Sequence, residues 1–189
     1  MKEVNGNTVR RYFAGLAEHT FQTQLGVVDP VLTDYISDML TRFIRSDAMF
    51  HVRNVAGKRV SEVAEMMVEA QARVGDAKRE VHRNIGDFTL FWTGVYPEAI
   101  SRLKKDSRCD GLIDYQTEGK RSYFIVGTMQ ENNGSPKDDQ NDQEDCSAVE
   151  QSVFIRLSEQ FELCAYGLRE VRRLWELGEG ENQPRPFLL

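Results

Sequence analysis

Residues 60–95 read VSEVAEMMVEAQARVGDAKREVHRNIGDFTLFWTGV, and the spacing of their apolar side chains decides the fold class. Val60, Val63, Met67, Ala70, Val74, Ala77 and Val81 recur at alternating intervals of three and four. Residues so spaced share one face of an α-helix, whereas a half-buried strand alternates every second residue. The pattern predicts a long helix with a packing seam that carries into Ile85, Phe88, Trp92 and Val95. Glu62, Glu65, Glu69 and Glu80 fall mostly off the seam. Gly75 reads as a point of close packing or a bend. Gly86 reads as an interruption, with Asp87 capping a helix that restarts at Phe88. Gly94 and Pro97 bracket a corner, and Pro97 opens a short helix whose Ala99, Ile100 and Leu103 face inward.

The flanking sequence repeats this logic. A first helix is expected from Thr8 to Leu25, with Val9, Phe13, Leu16, Thr20 and Phe21 near one face and Gly26 as its stop. Asp29 can accept hydrogen bonds from free amides at a helix start, and Pro30 suits the first helical position. Leu32, Ile36, Met39, Leu40 and Phe43 then form an apolar face. The stretch HVRNVAG at 51–57 is a connector. Asp110-Gly111 favours a turn, after which Leu112, Tyr115, Gly119, Tyr123 and Val126 can share a helical face. SYFIVG at 122–127 has strand-forming residues but no partner strand, so helix is the better reading. Phe154, Leu157, Phe161, Cys164, Leu168, Val171 and Trp175 alternate three and four along a last helix.

These elements predict an all-α helical bundle with short irregular corners. One domain is expected over residues 1–178, interrupted by a flexible acidic insert at 131–148 and followed by a tail at 179–189. The 189 residues carry a net charge of −6. Seven acids and one base between Glu131 and Glu150 account for all of it, so the rest of the chain is neutral. That balance offers no broad basic surface for nucleic acid. The insert is too polar to bury a core of its own, so a mobile linker is expected. The longest wholly apolar runs are a few residues, against the roughly 20 of a membrane span, and no membrane insertion is expected. The first residues lack a secretory apolar segment. Cys109, Cys146 and Cys164 are odd in number and scattered, without a CxxC pair, so the expected setting is cytoplasmic.

The stretch His82–Glu98 concentrates the residues with chemistry. His82, Asp87, Trp92, Tyr96 and Glu98, with Tyr115 and Tyr123, are the candidate ligand-binding set. Each also has a bland role. His82 suits a capping or surface position, with Gly86 leaving room beside its ring. Asp87 and Glu98 suit helix starts, and the aromatics suit a core. A di-iron site wants Glu-x-x-His on two helices, and Glu80-Val81-His82 and Glu18-His19 have the wrong spacing. No metal and no cofactor are expected, and no catalytic residue is assigned. Cys164 lies on a seam and Cys146 among acids, so neither has the makings of a nucleophile.

Two motifs carry a family resemblance. Gly86, Asp87, Leu90, Phe91, Gly94, Pro97 and Glu98 fit GD-x-x-LF-x-x-G-x-x-PE, and Tyr115, Gly119 and Tyr123 fit Tyr-x-x-x-Gly-x-x-x-Tyr. In this the chain resembles a loosely defined family of uncharacterised, soluble bacterial helical proteins, over roughly Arg79 to Gly127 and the last helix. The resemblance implies a helical fold and no particular chemistry. The acidic insert departs from the shorter connection expected of that family. The leading expectation is a non-enzymatic protein-interaction or assembly module, most simply a homodimer. The alternative is a small-molecule or cofactor-binding protein, including an enzyme, with a pocket near 82–98 and 115–123.

Overall fold

A computed structural model describes residues 6–43, 52–54, 56–107, 109–129 and 152–178. The acidic insert at 131–148 and the tail at 179–189 lie outside the described residues. Among those residues the chain is an all-α helical bundle with no strand and a single isolated bridge, Arg53 to Arg59. The helices are α1 (Gly6–Glu18), α2 (Pro30–Phe43), α3 (Val63–Ala72), α4 (Gly75–Gly94), α5 (Pro97–Asp106), α6 (Tyr115–Thr128), α7 (152–159) and α8 (Phe161–Gly178). α1 ends in a π-helical turn, His19–Gln24, and a 3₁₀ turn, Asp110–Leu112, precedes α6.

Helix α2 starts as expected. Asp29 Oδ1 accepts from the Leu32 amide at 3.1 Å, and Pro30 is the first helical residue. Gly26 turns the chain before it with φ of 67°, a left-handed conformation that favours glycine. The residues at 115–128 are helical, with Asp114 capping the Gln116 and Thr117 amides.

The long helix expected over 60–95 is two helices. Arg73 and Val74 are extended, with ψ of 160° at both, and Gly75 has φ of 57°. Val74 and Ala77 hold the seam spacing but face solvent, Val74 at 84% exposure. The second half of the stretch behaves in the opposite way. Gly86 does not interrupt α4, and Asp87 caps nothing: both lie buried inside one continuous helix of 20 residues. Leu112 does not join the face of Tyr115, Gly119, Tyr123 and Val126. It sits in the 3₁₀ turn at 99% exposure, while those four positions are buried.

Helix α4 is the axis of the bundle. Every residue from Asn84 to Trp92 is buried, and α3, α5, α6 and α8 all pack on it. Over that stretch the helix is covered on all sides and has no polar face to spare. α1 and the π-helical turn pack on α8, where Phe13 meets Trp175 edge-on at 5.3 Å. The buried apolar residues of all these elements except α5 form one cluster, and α5 adds Ala99, Ile100 and Leu103 from its partly buried side.

Glycines set how closely α4 and its neighbours approach. A Cβ on Gly86 would lie 2.6 Å from the Tyr123 ring, so the space beside Gly86 belongs to Tyr123 and not to His82. A Cβ on Gly119 would lie 2.6 Å from the Phe161 ring and would also strike Thr89. Gly119→Ala should therefore lower stability by about 1–3 kcal/mol through overpacking, although alanine is the better helix former by about 1 kcal/mol. Urea unfolding measures this, and a variant more stable than wild type would contradict the close approach.

Candidate functional site

Asp87 is the centre of a cluster in which two candidate residues, Asp87 and Tyr123, meet directly. Helix α4 presents its carboxylate between α2 and α6. Oδ1 accepts a hydrogen bond from the Tyr35 hydroxyl at 2.5 Å and from the Tyr123 hydroxyl at 2.8 Å. Oδ2 accepts from the Arg42 guanidinium at 3.0 Å. Tyr35 in turn accepts from Arg83 Nε at 3.3 Å. The Arg83 guanidinium lies over both the Tyr35 and Phe154 rings, 5.4 and 5.6 Å from their centroids. Tyr35 also packs edge-on against Phe154 at 5.2 Å.

The electrostatics of this cluster are mutually consistent. Burial raises the pKa of Tyr35 and Tyr123 far above the ordinary tyrosine range, and the Asp87 charge raises both further. Both phenols therefore stay protonated and donate. For Arg42 burial favours the neutral form, but the charge of Asp87 and the interaction with Tyr35 together outweigh it and hold the guanidinium charged. A 2% exposed carboxylate is costly to bury unless it is paired and hydrogen-bonded, and here it has three donors.

A second acid does a comparable job that the sequence did not announce. Asp110, buried in the 3₁₀ turn, accepts from the Val63 and Ala64 amides at 2.9 and 2.8 Å. Those are free amides at the start of α3, so Asp110 caps that helix from 46 and 47 residues away. The Tyr115 hydroxyl donates to the same carboxylate at 2.8 Å. Tyr115 thus belongs with Asp110 and not with Asp87. Its ring lies 6.3 Å from Phe88, with the Lys104 ammonium 5.4 Å from its centroid.

The remaining candidates are dispersed along α4 and α5. Trp92 is buried among Phe88, Phe91 and Tyr96, and its indole N–H has no hydrogen-bond partner among the described residues. The Arg172 guanidinium stacks 4.4 Å from the Tyr96 centroid, donates to the Val95 carbonyl at 2.7 Å and pairs with Glu98. Burial opposes ionisation of Glu98, but hydrogen bonds from its own amide and from Arg172 hold it below the usual carboxylate range. His82 is half-buried, with Nδ1 3.4 Å from the Ser122 hydroxyl. Cys164 is pushed up to about 12 by burial first and then by Asp29 and Glu162, which leaves it a protonated core thiol. No group of three His, Cys, Asp or Glu among the described residues is placed to hold a metal ion, and no described helix is long and apolar enough to cross a membrane.

The sequence reading missed Tyr35, Arg42, Arg83 and Asp110. The first three lie 52, 45 and 4 positions from Asp87, and only Arg83 shares its helix. The one signal available was the lone charge of Asp87 in the otherwise uncharged stretch 84–97. No protein-family model, curated protein or solved structure matches this chain.

Burial, then the neighbouring cations Lys78 and Arg121, push His82 down to about 4 from a usual value of 6.5. Between those two values the unfolded chain binds the proton and the folded chain resists it. His82 should therefore cost stability progressively as pH falls from about 6.5 towards 4. Urea midpoints of wild type and His82→Gln, taken across that range, should diverge, with the variant losing less on acidification. Parallel curves would contradict this environment for the imidazole.

Proposed function

We propose that this chain is a non-enzymatic helical module for protein interaction or assembly, in its simplest form a homodimer. The observation that carries the reading is the use made of its chemistry-bearing residues. Asp87, Tyr123, Tyr115 and Glu98 each engage a side chain of the same protein, and each such contact joins one element to another. Outward on α6 and α8, by contrast, Phe124, Leu163, Tyr166 and Leu177 keep large apolar surface exposed. Buried polar networks of the first kind specify a fold, and exposed apolar side chains of the second kind supply contact surface. The resemblance to soluble bacterial helical proteins, and a cytoplasmic setting, belong to the same reading.

One observation favours the second reading, a small-molecule or cofactor-binding protein with an enzymatic role. The buried Trp92 indole N–H is a donor without a partner among the described residues, beside Tyr96 in the candidate stretch. A bound acceptor would satisfy it. Native mass spectrometry of freshly purified protein separates the two readings. The first expects polypeptide free of small molecules, with a two-chain species that grows with concentration. A single chain that releases a stoichiometric small molecule on denaturation would replace it with the second.

A further inference from the structure

The helix formed by α7 and α8 carries two seams. Its inner seam is the buried series Phe154, Leu157, Phe161, Cys164, Leu168, Val171 and Trp175. The series keeps its three-four spacing across Gln160, and backbone bonds from Gln160 N to Arg156 O and from Cys164 N to Gln160 O carry the helical ladder through that residue. The outer seam therefore keeps phase as well. It consists of Glu159, Glu162, Tyr166, Arg169 and Arg173, also spaced three, four, three, four, and every one of them is exposed. Tyr166 is 48% exposed.

The order of these five residues is acid, acid, tyrosine, base, base. Counted from Tyr166, the carboxylates stand seven and four positions before it and the guanidiniums three and seven after it. A second copy of the helix turned end for end about Tyr166 sets Glu159 against Arg173 and Tyr166 against itself, and places Glu162 opposite Glu170, one position from Arg169. At the ends of the stripe, exposed Leu177 lies eleven positions after Tyr166, and half-buried Ile155, eleven before it, packs against Gly127 of α6. A parallel pair would instead set Glu159 on Glu159 and Arg173 on Arg173.

We propose that the outer face of α7–α8 is the surface on which two copies of this chain associate, antiparallel, about a two-fold axis at Tyr166. The proposal rests on the interaction-module reading and names its partner and register. A two-fold contact must be self-complementary, and this stripe is complementary to itself in one orientation only. Charges order the encounter, while Tyr166, Leu163 and Leu177 supply the apolar contact. Within one chain Glu162 accepts from Lys120 and Gln116, and Arg173 donates to Glu170. These are surface contacts of small individual worth. A carboxylate has about four acceptor sites and a guanidinium five donors, so both retain capacity for a second copy. The stripe from Ile155 to Leu177 spans about 33 Å of helix. So narrow a face makes a weak dimer, visible at tens to hundreds of micromolar protein.

The test combines charge exchange with cross-linking in the full chain. By sedimentation equilibrium, wild type should pass from monomer to dimer over that concentration range. Arg169→Glu/Arg173→Glu and Glu159→Arg/Glu162→Arg should each be monomeric alone, with circular dichroism confirming that both are folded. Mixed one to one, they should form a heterodimer. In a Cys109→Ser/Cys146→Ser background, Tyr166→Cys should form an interchain disulfide on mild oxidation. Arg173→Cys should not, because its two copies stand about 21 Å apart along the helix pair. Cross-linking reports the register even if a double charge variant fails to fold. A wild-type dimer that both charge variants preserve, or an Arg173→Cys that cross-links as readily as Tyr166→Cys, would overturn this face while leaving the interaction-module reading standing. A wild type monomeric throughout would overturn this face and the homodimer together, leaving that reading to rest on a different protein partner.

Discussion

A single carboxylate, that of Asp87, joins three helices at the middle of this bundle. It lies on the helix against which α3, α5, α6 and α8 all pack, where water cannot compensate its charge. Tyr35 and Arg42 reach it from α2, and Tyr123 reaches it from α6. Apolar packing is tolerant of small shifts in rotation and register, since many arrangements of similar side chains bury similar area. A buried charge with three donors is not tolerant, because any slip that breaks one bond strands a polar group. The cluster therefore acts on the helix arrangement chiefly by excluding alternatives. Arg83, over Tyr35 and Phe154, closes it on the side of α7.

The close approach of α4 and α6 is what brings the Tyr123 hydroxyl within reach of that carboxylate. Gly86 on α4 admits the Tyr123 ring, and Gly119 on α6 admits Thr89 and Phe161. Thr89 spends its own hydroxyl on the Ile85 and Gly86 carbonyls of its helix, so it adds no unpaired donor to the contact. The same device recurs away from the cluster. Gly94 lies against Leu168, and Gly167 against Phe21. Glycine in a helix interior is costly, and at these positions the cost is offset by packing that a side chain would prevent.

How much of this was legible in the sequence varies element by element. The start of α2 was legible because Asp29 and Pro30 act on amides a few residues away. The inner seam of α7–α8 was legible because seven residues keep one phase. The dipeptide Gly-Asp shows where local reasoning fails. Gly75-Asp76 opens a helix at a positive φ, while Gly86-Asp87 lies in the interior of the same helix. Their local chemistry is identical. What differs is the neighbourhood: Ala-Lys-Arg-Glu follows the first, whereas Asn84 to Trp92 surrounds the second with residues that are all buried. The seam through Val74 and Ala77 misled for a related reason, since two residues can hold a helical spacing by chance where the backbone is extended. The candidate residues do not form one group: the structure divides them, with Tyr123 at Asp87, Tyr115 at Asp110, Tyr96 and Glu98 at Arg172, and His82 beside Ser122. Apart from Tyr115 and Asp110, five positions apart, those groupings depend on partners 36 to 77 positions distant, which spacing does not encode.

The account stands on the claim that the Asp87 cluster is a coupled unit that holds α2, α4 and α6 together. A double-mutant cycle on Asp87→Ala and Tyr123→Phe, read by urea unfolding, tests it directly. Removal of Asp87 leaves the hydroxyls of Tyr35 and Tyr123 and the half-exposed Arg42 without their shared acceptor and should cost about 3–5 kcal/mol. The two substitutions together should cost less than the sum of the singles, with a coupling of about 1–3 kcal/mol. Strictly additive effects, or an Asp87→Ala variant within about 0.5 kcal/mol of wild type, would contradict it.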